Sequence, residues 1–208
     1  IHDLQEHADP MLTLTDSTGR ELAANDDYYR GDPLLSYKFD RAGEYFITIR
    51  DVRYTGNPYW TYRLNVTKRP FVTSVLPMGV QLGKELSSQA TGFAVPNTPV
   101  KARLAAVTSK GEQLVQFETS AGLTNPVPVV VTDLPCQTVT TPPVPSSPLT
   151  VPVPAAVSAL ITRPGEVHRY KIALKAGQNW SFDVEARRFD SRLDSVITLF
   201  NPAGNEIA

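Results

Sequence analysis

The chain has 208 residues, with 20 Lys and Arg against 21 Asp and Glu, 18 Pro and a single Cys. A formal net charge of −1 with basic residues scattered along the chain leaves no electrostatic footprint for phosphate backbones, so nucleic acid is excluded as the expected partner. No apolar run approaches the roughly 18–20 residues that span a bilayer, and the lone Cys136 allows neither an intrachain disulfide nor a Cys-x-x-Cys metal or redox site.

Hydrophobic residues recur with period two, in short runs broken by Gly, Pro, Asn and Asp, which predicts an all-β chain. In chain order the first strands are expected at Met11–Thr15, Leu35–Phe39, Glu44–Asp51 and Trp60–Val66. Gly56, Asn57 and Pro58 favour a turn, so the last two are expected to form a hairpin. Further strands are expected at Phe71–Val75, Gln113–Glu118 and Val127–Thr132. Val100–Lys110 also reads as strand, although its Ala and Leu residues permit a helix. Prolines concentrate between Pro126 and Pro164, which marks Leu134–Pro154 as an extended, exposed linker. Beyond it, strands are expected at His168–Leu174, Trp180–Ala186 and Val196–Phe200.

An internal repeat underlies this pattern. Residues 9–23, DPMLTLTDSTGRELA, align without gaps on residues 194–208, DSVITLFNPAGNEIA, 185 residues further on. Asp, Thr, Leu, Gly, Glu and Ala match identically, and Leu12/Ile197, Asp16/Asn201 and Leu22/Ile207 match in character. Both copies read as a strand, a tight turn whose glycine (Gly19, Gly204) takes positive φ, and a second short strand. The repeat implies a tandem array, with the chain starting inside one module and ending inside the next.

These residues carry a resemblance. Residues 23–28, AANDDY, with Asp32-Pro-Leu-Leu35, residues 43–51, GEYFITIRD, and residues 59–66, YWTYRLNV, resemble the back half of a bacterial pre-peptidase C-terminal (PPC) domain. Residues 164–172, PGEVHRYKI, residues 176–186, AGQNWSFDVEA, and residues 193–199, LDSVITL, resemble the front half of the same domain. Residues 70–77, PFVTSVLP, with Gly79, Gly83 and Gly92, resemble an immunoglobulin-like module of the IPT/TIG kind. The resemblance implies antiparallel β-sandwich modules in tandem: a partial PPC-like sandwich at 1–67, an Ig-like sandwich at 68–134, a Pro-rich linker at 135–154 and a second partial PPC-like sandwich at 155–208. It also implies a bacterial, extracytoplasmic setting, secreted, on the cell surface or periplasmic. Family members usually carry an acidic Glu-x-Glu-Pro-Asn entry to the second module, from which the calcium-binding members take ligands. Here Pro142–Pro154 carries no acidic residue.

Asn25, Asp26, Asp27 and Asp32 form the densest oxygen-rich patch. A hard cation such as Ca²⁺ takes six to eight oxygens, while turns use the same residues for side chain to backbone bonds. Arg30-Gly31-Asp32 spells the cell-attachment tripeptide. Tyr28, Tyr29, Tyr54 and Tyr59 gather near two adjoining loops and are the candidate ligand-binding rings, since exposed aromatics serve as platforms for sugar rings or proline-rich peptide. Trp60 is in phase with Tyr62 and Leu64 and belongs to the expected core. His2, His7 and His168 stand in no hydrolase or metalloprotease motif, so no catalytic residue is assigned and the chain is not expected to be an enzyme. The expected function is that of non-catalytic modules of a larger secreted or surface protein, for spacing, display or accessory binding, with the flanking modules as partners and no cofactor. The alternative is a specific polysaccharide- or protein-binding module assisted by Ca²⁺.

Overall fold

A computed structural model describes residues 8–28, 31–102, 109–186, 189, 191 and 193–207. Among them every regular element is a strand, as period-two spacing requires. The chain divides into two compact units, residues 1–67 and 68–208.

The first unit is built on strands β1 (Pro10–Asp16), β2 (Glu21–Asn25) and β3 (Tyr45–Asp51). They form an antiparallel sheet in the order β2-β1-β3. Leu12 stands opposite Ile49 and Leu14 opposite both Ile47 and Ala23. Because strand side chains alternate, these five residues share one face. Leu14 is buried on it, yet Ile47 is 42% exposed, and Phe46 on the other face is 54% exposed. Among the described residues, each outer strand, β2 and β3, has only β1 as its neighbour.

The second unit opens with a sandwich. A five-stranded sheet, in the order β10-β9-β7-β6-β4, comprises β4 (Phe71–Leu76), β6 (Ser87–Phe93), β7 (Val100–Ala102), β9 (Phe117–Thr119) and β10 (Gly122–Leu123). A three-stranded sheet, in the order β5-β11-β8, comprises β5 (Gly79–Gln81), β8 (Gly111–Val115) and β11 (Val127–Thr132). Strand β11 runs parallel to β5 and antiparallel to β8. Val72, Val75, Ala90, Val100 and Phe117 from the larger sheet pack with Val80, Val115, Val127, Val129 and Val131 from the smaller one and with Leu86. Burial of such a set from two sheets is what closes a sandwich. Asn125 ties its floor: its Oδ1 accepts from the Val72 N–H at 2.7 Å and its Nδ2 donates to the Val72 carbonyl at 3.0 Å. Gly92, opposite Val72 beside a register shift, has φ +157°, and a Cβ there would press on the Phe71 carbonyl and the Val72 Cα. Only glycine fits that approach.

Several expectations are corrected. Gln113–Glu118 is not one strand: the chain breaks at Gln116 and passes from β8 in one sheet to β9 in the other. Leu35–Phe39 and Trp60–Val66 form no strand, and the hairpin expected between β3 and Trp60–Val66 is absent. β3 pairs with β1 instead. Alternation specifies which side chains share a face, but a strand also needs a neighbouring strand to bond its N–H and C=O groups, and among the described residues neither run pairs with one. Trp60 is only partly buried, and Tyr62 and Leu64 are exposed. Val100–Ala102 is strand, and residues 103–108 of that run lie outside the described residues.

The Leu134–Pro154 stretch is not a plain exposed connection. Strand β12 (Cys136–Thr138) pairs in parallel with β14 (Ala156–Ser158), and β13 (Leu149–Thr150) pairs in parallel with β15 (Tyr170–Lys171). Val139, Pro143 and Val151 are buried. Prolines between the short strands leave the N–H groups of Val139, Leu149 and Val151 free to bond Ser158, Arg169 and Lys171. Conversely, the expected strand His168–Leu174 shrinks to Tyr170–Lys171, Trp180–Ala186 forms none, and Val196–Phe200 contributes one bridge, Phe200 to Glu206.

The turn of the repeated segment folds the same way twice. At residues 16–20, the N–H groups of Thr18 and Arg20 donate to Asp16 Oδ1 at 2.9 and 3.1 Å. Gly19 N–H donates to the Asp16 carbonyl, and Asp16 N–H to the Arg20 carbonyl, both at 3.0 Å. At residues 201–205, Ala203 and Asn205 donate to Asn201 Oδ1 at 3.0 and 2.9 Å. Gly204 N–H donates to the Asn201 carbonyl, and Asn201 N–H to the Asn205 carbonyl, both at 2.9 Å. Gly19 and Gly204 have φ of 84° and 85°, the left-handed residue that a three-residue hairpin loop needs.

Candidate functional site

Most of the side chains singled out in the sequence lie on the loops of the first unit. Asn25 closes β2 and its Oδ1 accepts from the Leu34 N–H at 3.0 Å, while Asp26 Oδ1 accepts from the Asp27 N–H at 3.0 Å. Tyr28 N–H donates to the Asp32 carbonyl at 3.2 Å. The patch thus holds its loop through the side chain to backbone bonds that turn residues make. Among the described residues no three His, Cys, Asp or Glu side chains group as metal ligands, and Asn25 and Asp26 each commit an oxygen to a loop amide. Tyr29, and Arg30 of the tripeptide, lie outside the described residues.

The other loop begins at Asp51, at the end of β3. Asp51 Oδ1 accepts from the N–H groups of Arg53 and Thr55 at 2.9 and 3.1 Å, and Tyr54 N–H donates to the Asp51 carbonyl at 3.0 Å. The bonding follows that of Asp16 and Asn201, with Tyr54 in the position of Gly19 and Gly204. Tyr54 accordingly has φ 57°, a conformation that costs a non-glycine residue roughly 1–2 kcal/mol. The Arg50 guanidinium stacks 4.2 Å from the centre of its ring and also donates to the carbonyls of Asp51 and Val52. The ring is therefore presented on a fixed loop, 79% exposed, and Tyr59 is 78% exposed.

Asp16 and Asp51 share an electrostatic signature. The Thr18 hydroxyl foremost, and the amides of Arg20 and Thr18, hold Asp16 at about 2, down from 3.8. The Asp9 N–H foremost, with the Thr55 hydroxyl, does the same for Asp51, at about 2. Both shifts arise because donors aimed at a carboxylate favour its charged form, and both carboxylates are committed to holding turns.

Two groupings escaped the sequence analysis. Tyr37, Phe39 and Tyr45 form a ladder of rings, with centroids 5.1 and 4.4 Å apart, and Tyr37 and Phe39 are exposed. The i, i+2 spacing of Tyr37 and Phe39 ahead of Gly43-x-Tyr45 was the available signal. In the second unit, His168 Nε2 lies 2.6 Å from Glu166 Oε1, and Glu166 Oε2 accepts from the N–H and hydroxyl of Thr162. The His168 bond foremost holds Glu166 below its ordinary value. The Tyr170 hydroxyl lies 3.5 Å from the other ring nitrogen, Nδ1, and these bonds tie residues 162–170 together. Comparison with known protein families, with curated proteins and with solved structures found no match.

Proposed function

We propose that the chain is a set of non-catalytic β-sandwich modules of a larger secreted or surface protein, serving spacing, display or accessory binding next to its flanking modules. The reading is carried by the recurrence of one turn, with the same four hydrogen bonds and the same left-handed glycine, at Asp16 and at Asn201. Repeated modules held by backbone ladders and valine packing suit serial use, because each contacts chiefly its neighbours. The assignment of the end segments to PPC-like sandwiches, of 68–134 to an IPT/TIG-like module, and of the whole to a bacterial extracytoplasmic setting rests on the sequence resemblance. No cofactor belongs to this reading.

A second reading, a polysaccharide- or protein-binding module, is favoured by the exposed Tyr54 and Tyr59 rings and by the Tyr37–Phe39–Tyr45 ladder, since stacked exposed aromatics can carry a sugar ring. The deciding test is retention of the full chain on insoluble polysaccharides and on fibrous protein, beside Tyr54→Ala/Tyr59→Ala and Phe39→Ala variants. The spacer reading expects the three proteins to pass alike. Retention that either variant abolishes would replace it with the binding reading.

A further inference from the structure

The Pro-rich stretch carries the hydroxyl side chains of Thr138, Thr140, Thr141, Ser146, Ser147 and Thr150. All of these residues are exposed, and none of their hydroxyls bonds to another described residue. Elsewhere in the chain the hydroxyls of Thr18, Thr55, Thr124 and Thr162 are committed to bonds. The fold holds the stretch so that its hydroxyls face out. Val139, Pro143 and Val151 are buried, and the N–H groups of Val139 and Val151 donate to the Ser158 and Lys171 carbonyls at 2.8 and 2.9 Å. Because strand side chains alternate, burial of Val139 and Val151 leaves Thr138, Thr140 and Thr150 on the open side. Between them the Ser147 N–H closes a turn on the Val144 carbonyl at 2.9 Å, within the exposed run Pro145-Ser146-Ser147-Pro148.

The surroundings select the chemistry. Pro142, Pro143, Pro145 and Pro148 bar a helix or an inner strand between β12 and β13, which leaves this backbone open to the cleft of a transferase. From Gln137 to Thr162 no side chain is ionisable. A phosphate ester would therefore have no Arg or Lys of its own stretch to pair with, whereas a neutral sugar needs no counter-charge. Ser and Thr set among prolines is also the composition of O-glycosylated stalks. We propose that the exposed hydroxyls of residues 138–150 are acceptors for O-linked sugars. In the transfer the Oγ attacks the anomeric carbon of a phosphate-activated sugar. The bond from that carbon to the phosphate oxygen breaks, its electron pair leaves on the phosphate, and the hydroxyl proton passes to a base of the transferase. The product is a neutral, hydrated sleeve over the stretch, the exposed Val144 included. This inference goes beyond the spacer reading, which holds with or without the sugars.

Intact-mass spectrometry of the full chain, isolated from the organism that makes it, tests the proposal. The same chain made in the cytosol of a host without protein O-glycosyltransferases is the unmodified reference. The expected result is added mass in whole hexose or N-acetylhexosamine units, removed by alkaline β-elimination and located by electron-transfer fragmentation within residues 138–150. Thr140→Ala/Thr141→Ala/Ser146→Ala/Ser147→Ala, expressed in the source organism, is expected to lose most of that mass. Made in the reference host, the same variant is expected to keep the reference melting temperature, because the four hydroxyls bond no described residue. A native chain with no added mass overturns the proposal. So does sugar confined to residues outside 138–150, or added mass in phosphate units.

Discussion

The sandwich of residues 70–134 and the sheet of residues 10–51 are written in the same period-two code, and they end differently. In the sandwich, Phe117, Val72 and Val129 have no exposed surface at all, because two sheets supply facing valines. In the first unit the sheet has one well-buried strand residue besides Pro10, namely Leu14, while Phe46 and Ile47 stay open. Alternation prepares a face for burial, and a second layer has to arrive before that face yields stability. The residues of both regions are suited to strands. What differs is whether the described chain brings up the opposing layer.

The comparison breaks most visibly at Phe117. Phe117→Ala is expected to cost the sandwich about 3–5 kcal/mol in denaturant unfolding, whereas Phe46→Ala, on the half-open sheet, is expected to cost well under about 1 kcal/mol. Equal losses would mean that the first unit has a core as closed as the second. Asn125→Ala comes next, at about 1–3 kcal/mol, since it removes the two side-chain bonds to the N–H and C=O of the fully buried Val72.

Acid should separate the two regions further. Asp16 and Asp51 are held at about 2 in the folded chain against an ordinary 3.8, so what they contribute is present above 3.8 and is lost as pH falls through about 2. Among the described residues the sandwich buries no carboxylate, and its Lys110–Asp133 pair lies on the surface, where such pairs contribute little. The β1–β3 amides are therefore expected to lose protection on acidification before those of β11, as followed by NMR. Asp16→Asn/Asp51→Asn should flatten that pH dependence while keeping the turns, as Asn201 does naturally with an amide. The smallest effect is expected from Ca²⁺: a titration should leave the melting temperature unchanged, because Asn25 and Asp26 already bond loop amides. A rise that vanishes in Asp26→Asn would show a bound ion.

The all-β class was legible because alternation is a local property of the sequence. So was the repeat, down to the glycines that take positive φ at 19 and 204. Pairing was not legible. Nothing local says that Val115 and Phe117, two residues apart, belong to different sheets, nor that Trp60–Val66 joins no sheet among the described residues. Proline content suggested a bare linker at 135–154 because each proline removes a donor, but the residues between them kept enough N–H groups to pair with Ala156–Ser158 and Tyr170–Lys171. The aromatic reading found Tyr54 through its neighbours rather than through its backbone. That a tyrosine would occupy the glycine position of a recurring turn shows only when the three turns are laid side by side.

Native-state hydrogen exchange, read segment by segment at two protein concentrations, tests the central contrast most directly. Amides of β4 and β11 in the sandwich should be strongly protected at both concentrations, because they open only with the whole core. Amides of β3 should exchange faster at both concentrations, because the half-exposed side chains of that strand leave it fewer buried contacts to break. Protection of β3 equal to that of β11 would contradict the account, since it would mean that the first unit has a core as closed as that of the sandwich.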